Sequence, residues 1–202
     1  MAFVAGSRSD KILKFFSYII AFHAMVICAN FVVLYVPAPE ALNVSGILQI
    51  VIRILYVLSH AAVLAVVYFL GRKKLFVFLT CQLICSILIG IAISLAAAPF
   101  HYKIILAFNS LLGLLYIGTL LSIRRTPFNY IFICLAVSHA AMILVFYVAF
   151  LLSLSYRKVY LLSDLLPLIF LLLLVQKTRQ HLAKTELETA FLEEPTISEG
   201  LN

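Results

Sequence analysis

Apolar residues run along this chain in six long stretches, at 12–36, 46–70, 74–97, 102–123, 129–152 and 157–176. Charged residues are few within these stretches, as they are in helices that cross a bilayer. About 20 apolar residues at 1.5 Å rise cross the hydrocarbon of a bilayer. The pattern therefore predicts an all-α polytopic integral membrane protein, with six transmembrane helices in one bundle. The breaks carry turn chemistry: "VPAPEALNVSG" holds two prolines and a glycine, "GRKK" is a tight basic turn, and "AAPFHYK" and "RRTPFN" each hold a proline. The fifth break, "SLSYRKVY", has neither proline nor glycine. The first run is too long for the apolar core of a cleaved leader and reads as an anchor.

Composition strengthens this picture. The chain has 202 residues, of which 65% are hydrophobic and 11% charged, against roughly half and a quarter in soluble domains. Its polar residues are too few to cover a water-facing surface. The net charge of +7 does not point to nucleic acid, because the basic residues sit in clusters between apolar runs and not along one face. In a six-span arrangement one side collects Arg8, Lys11, Lys14, Arg72, Lys73, Lys74, Arg124, Arg125, Lys177, Arg179 and Lys184; the other has Lys103, Arg157 and Lys158. Eleven against three places both termini in the cytoplasm. Tyr35, Tyr68, Tyr102, Tyr130, Tyr156 and Tyr160 fall near span ends and supply an aromatic belt in a chain without tryptophan.

Three segments follow. Residues 1–11 form a cytoplasmic N-terminal segment and 12–176 the six-helix transmembrane domain. Residues 177–202 form a cytoplasmic tail, read as a short helix and then a disordered acidic end, "EEPTISEGLN". "NVS" at 43–45 fits a glycosylation acceptor in a short non-cytoplasmic loop.

Polar groups inside a bilayer are expensive and mark function by default. Here they are His23 in span 1, Arg53 and His60 in span 2, His139 in span 5 and Asp164 in span 6, joined by the amides Asn30, Gln82 and Asn109. Counting along the spans puts His23, His60 and His139 near the midplane, with Asn30, Arg53, Asn109 and Asp164 in a layer nearer the non-cytoplasmic side. Residues seven apart return to nearly one face, so His23 pairs with Asn30, and Arg53 with His60, with Tyr56 between them. Facing inward, these residues would line a polar path. Arg53 and Asp164 are the opposite charges at similar depth and are expected to form a buried pair.

The tetrapeptide Ser-His-Ala-Ala occurs twice, around His60 and His139. Aligning 47–70 with 126–149 gives eight identities in 24 positions. The flanking spans do not continue the match, so the support for an inverted repeat stops at one pair of helices. Histidines at 23, 60, 101 and 139 loosely resemble the one-per-helix rhythm of six-helix haem-b cytochromes. His101 falls at a predicted loop and span 3 has no histidine, so that family's ligands are not carried over. The haem reading left is a single haem b with His60 and His139 as axial ligands.

Cys28, Cys81, Cys85 and Cys134 all lie in apolar runs, with no C-x-x-C and no metal motif, and read as small apolar residues. No G-x-S-x-G, H-E-x-x-H or intramembrane carboxylate pair supports an enzyme. Three functions stay open. One is a transporter or channel-like protein moving a small solute or proton along the polar path. The second is a non-catalytic scaffold or complex subunit, with histidines hydrogen-bonding between helices. The third is a haem-b electron carrier. The expected partners are the lipid bilayer and a second copy or other membrane subunits.

Overall fold

The structure is a computed structural model that describes residues 8–35, 39–95, 99–123, 126, 128–151 and 164–193. Every regular element among them is a helix: α1 (Arg8–Val33), α2 (Pro39–Phe69), α3 (Lys73–Leu95), α4 (Pro99–Ser122), α5 (Asn129–Leu151) and α6 (Leu165–Glu193). Three helical stretches, Arg8–Val33, Val44–Phe69 and Lys73–Ala92, are long and apolar enough to cross a membrane.

Each helix packs on its neighbours in chain order, and α6 returns to α1, so the bundle closes into a ring. One cross-contact, α2 on α6, spans it. The packing follows the residue spacing. On α1, Leu13, Ile20, His23, Ile27 and Asn30 are buried, while Phe15, Tyr18, Phe22 and Met25 form an exposed stripe on the other side. A contiguous apolar stripe is tolerated where its surroundings are apolar too. On α3 the outward bias is stronger: Leu79 and Gln82 are buried, whereas Val77, Phe78, Ile84, Leu88 and Ile91 are exposed.

The helix ends largely obey local chemistry. Gly71 closes α2 with φ of 70°, the left-handed conformation in which glycine avoids the steric penalty of a Cβ. Arg72 N–H donates to Val67 O and Gly71 N–H to Tyr68 O, the paired bonds that satisfy the last carbonyls of a helix. Pro39 and Pro99 each open a helix, where a missing N–H is harmless.

Two boundaries differ from the sequence reading. Helix α2 begins at Pro39 instead of 46, so the "NVS" segment is helical, because proline starts a helix as readily as it breaks one. The last helix does not stop at Gln176: 177–193 continue α6 without interruption. No glycine or proline lies between Leu168 and Glu193, so the change to polar residues alters the helix's surroundings and not its backbone. The fifth break, SLSYRKVY at 153–160 with Tyr156, Arg157, Lys158 and Tyr160, lies outside the described residues.

The extension is held at its start. Arg179 Nε donates to Asp10 Oδ1 at 2.8 Å, joining α6 to the first turn of α1. Thr178, fully buried, turns its hydroxyl back to Leu174 O.

Candidate functional site

The site forms where one turn from each of four helices, and the residue preceding α6, meet inside the ring. His23 comes from α1, Tyr56 and His60 from α2, Tyr116 from α4 and His139 from α5. Asp164 stands immediately before α6, at the cap position that aspartate favours. All six line one small cavity, whose apolar wall is made by Met142, Pro167, Leu168 and Leu171.

The two Ser-His-Ala-Ala copies meet here. The backbones of α2 and α5 do not pack against each other among the described residues, yet the His60 and His139 rings lie 5.6 Å apart, edge to face at 85°. Tyr116 fills the angle between them, 5.3 Å from His60 and 5.0 Å from His139. Tyr56 lies against His60, with ring centroids 4.0 Å apart. Edge-to-face contacts suit the aromatic quadrupole.

The hydrogen bonds orient the imidazoles. His60 Nδ1 donates to Tyr56 O at 2.9 Å, and His139 Nδ1 donates to Leu135 O at 2.8 Å. A carbonyl only accepts, so each bond fixes the proton on Nδ1 of the neutral ring and leaves Nε2 as the acceptor nitrogen. Both bonds stay within one helix. His23 differs: its Nδ1 meets Ser59 Oγ of α2 at 3.0 Å. The serines of the two copies therefore do different things. Ser59 reaches α1, while Ser138 bonds its own helix at Leu135 O.

Two buried atoms around the cavity have no protein partner among the described residues: His23 Nε2 and Asp164 Oδ1. His23 is 1% exposed and Asp164 8%. About two turns along α1 from His23, Asn30 is fully buried and accepts from Ser45 Oγ at 2.9 Å. Gln82 Nε2 donates to Leu112 O at 2.7 Å and ties α3 to α4. Ser110 and Tyr147 hydrogen-bond between α4 and α5.

Three expectations need correction. Arg53 and Asp164 do not pair: among the described residues the ion pairs are Arg179–Asp10 and Lys184–Glu188. Arg53 lies on an exposed face of α2 among Ile50 and Ile54, where a long side chain can carry its charge outward along apolar surface. The short Asp164 carboxylate has no such reach and stays inside. Asn109 is exposed on α4 and does not line the interior.

Haem is the third. His60 and His139 do approach each other, but the space among the site residues is about 20 Å³, and cofactor sites occupy roughly 300 Å³ or more. With Tyr116 packed against both rings, no slot for a porphyrin remains, so the residues do not fit haem b. Nor does any group of three His, Cys, Asp or Glu side chains stand where a metal ion could be held, among the described residues.

Of the residues named from sequence, His23, Tyr56, His60, His139 and Asp164 line this cavity together with Tyr116, which the seven-residue spacing sets on the same side of its span as Asn109. Asn30, Ser45 and Ser59 are buried outside its lining. The Asp10–Arg179 bridge carried no sequence signal, its partners being 169 residues apart. Set against family models, curated proteins and solved structures, the chain matches none.

Proposed function

We propose that this is a multi-pass membrane protein of six spans, with both termini cytoplasmic, that moves a small solute or proton along a polar interior path. Its integral membrane placement is supported by the three membrane-length helices, by their exposed apolar stripes and by the eleven-to-three charge bias. Tyr35, Tyr68 and Tyr130 are exposed near helix ends, as an aromatic belt would be. The transport reading rests on one observation: three histidines, two tyrosines and an aspartate from five segments of the ring line one buried cavity.

A scaffold reading needs the histidines as interhelical ties. His23 serves as one through Ser59, but His60 and His139 spend their Nδ1 bonds on their own helices, which favours a working site over packing glue. The test is flux into liposomes containing the purified chain, followed by a pH-sensitive dye and by isotope uptake. His139→Phe preserves the ring packing and removes the nitrogens. The variant should lose most of the flux, by roughly a hundredfold if the imidazole handles a proton, and remain folded. Absence of any flux from the wild-type chain would remove the transport reading.

A further inference from the structure

The cavity that collects the site residues has room for one water molecule and nothing larger. A volume of about 20 Å³ exceeds the roughly 10–15 Å³ of probe-occupied space that a water needs. A buried water also requires two or more polar partners. Here His23 Nε2 and Asp164 Oδ1, buried and without protein partners among the described residues, belong to side chains that line the same space. Leaving either atom unsatisfied in an apolar interior would forgo the hydration it has in water with nothing in return.

We propose that this cavity binds a single water that joins Asp164 to His23, and that the species moving along the interior path is a proton. The second half rests on the transport reading; the first does not. Water fits both partners in either protonation state, because it donates and accepts. A metal cation is a poorer occupant, since no third ligand side chain is placed for it among the described residues.

The transfer step is a short relay. In the tautomer whose Nδ1–H donates to Ser59 Oγ across the 3.0 Å contact, Nε2 presents a lone pair. The Asp164 carboxyl gives its proton to the water oxygen as the water passes one of its own protons to His23 Nε2. The products are a carboxylate, an imidazolium and the same water, with one proton moved from the α6 side of the ring to α1. The other titratable groups facing this link are Tyr56 and His60 on α2, Tyr116 on α4 and His139 on α5.

The experiment uses the full chain in liposomes, with infrared spectra recorded in ordinary and ¹⁸O-labelled water alongside flux. The wild type should show an O–H stretch sensitive to the label. Met142→Phe, which fills the apolar wall, should abolish it; Asp164→Asn, nearly isosteric, should shift it. Proton flux should fall in Asp164→Asn by roughly a hundredfold while the Tm changes little. A label-sensitive band missing from the wild type overturns the bound water. Undiminished proton flux in Asp164→Asn overturns the relay, as does flux of potassium or a small organic solute without protons, which leaves the transport reading intact. The band without flux of any kind supports the water site and removes the transport reading instead.

Discussion

His60 and His139 belong to helices whose backbones keep apart, yet their rings meet at 5.6 Å across the interior of the bundle. The contact is made entirely by side chains, so it can be removed without disturbing helix packing elsewhere. Truncating either ring to alanine should destabilise the chain by ~2–4 kcal/mol through the cavity left behind. A double-mutant cycle with leucine at both positions should give a coupling of about 0.5–1.5 kcal/mol. Reversible unfolding in mixed micelles measures both; a coupling of zero would mean that the rings are neighbours without interacting.

The Ser45–Asn30 bond carries a second prediction. Asn30 is fully buried and its Oδ1 takes the Ser45 hydroxyl. Ser45→Ala should cost ~1–3 kcal/mol, because it strands a buried acceptor. Adding Asn30→Leu should restore much of that loss. If the double variant is as unstable as the sum of the singles, the pair is not coupled. The same bond commits the serine of "NVS" to the interior on a helix, so an endoglycosidase should leave the mobility of the eukaryotically expressed chain unchanged.

At the opposite end of α1, Asp10 and Arg179 are about one-third exposed, so their bridge should contribute modestly. Asp10→Asn and Arg179→Gln should each lower stability by ~0.2–1 kcal/mol. Both losses should shrink in 1 M salt, where screening acts over about 3 Å. A loss of several kcal/mol in either single variant would show that the bridge is far less screened than its exposure implies.

Gly113 of α4 faces Ile143 of α5. A Cβ built there would lie 2.9 Å from Ile143 Cδ1, the tip of a flexible side chain. Gly113→Ala should be nearly neutral, since a gain of up to about 1 kcal/mol in helix propensity offsets the shift of one methyl. Gly113→Leu should cost ~1–3 kcal/mol by overpacking. Equal stability of the two variants, read from unfolding midpoints, would place the helices further apart than described.

The helices were legible because long uncharged runs leave few alternatives, and the face shared by His23 and Asn30 was legible because both are inside. The same seven-residue rule failed at Arg53 and His60. It says which residues share a side, not how far along the helix that side stays covered, and exposed positions such as Ile47, Ile50 and Ile54 are as apolar as the core. In water the polar face announces the exterior; in a bilayer that contrast is gone. Asn109 was misplaced for the same reason. The meeting of His60 with His139 was suggested by similar depth. Tyr116 between them depends on the rotation of α4, which composition does not encode. The helical character of 177–192 was legible, and the structure runs it on from the preceding apolar segment as one helix, because a change from apolar to polar residues does not by itself end a helix.

Closure of the ring through α1 and α6 has a consequence for biogenesis. Of the six helices described, α1 is made before the others and has its second neighbour in α6, and Asp164 is delivered just ahead of that helix. Until α6 arrives, His23 and Asn30 have only α2 beside them, and the wall formed by Pro167, Leu168 and Leu171 does not exist. Contacts so distant in sequence are slow to form. The nascent chain therefore waits with an open seam beside α1, and truncation anywhere before α6 yields a chain whose central chamber was never enclosed.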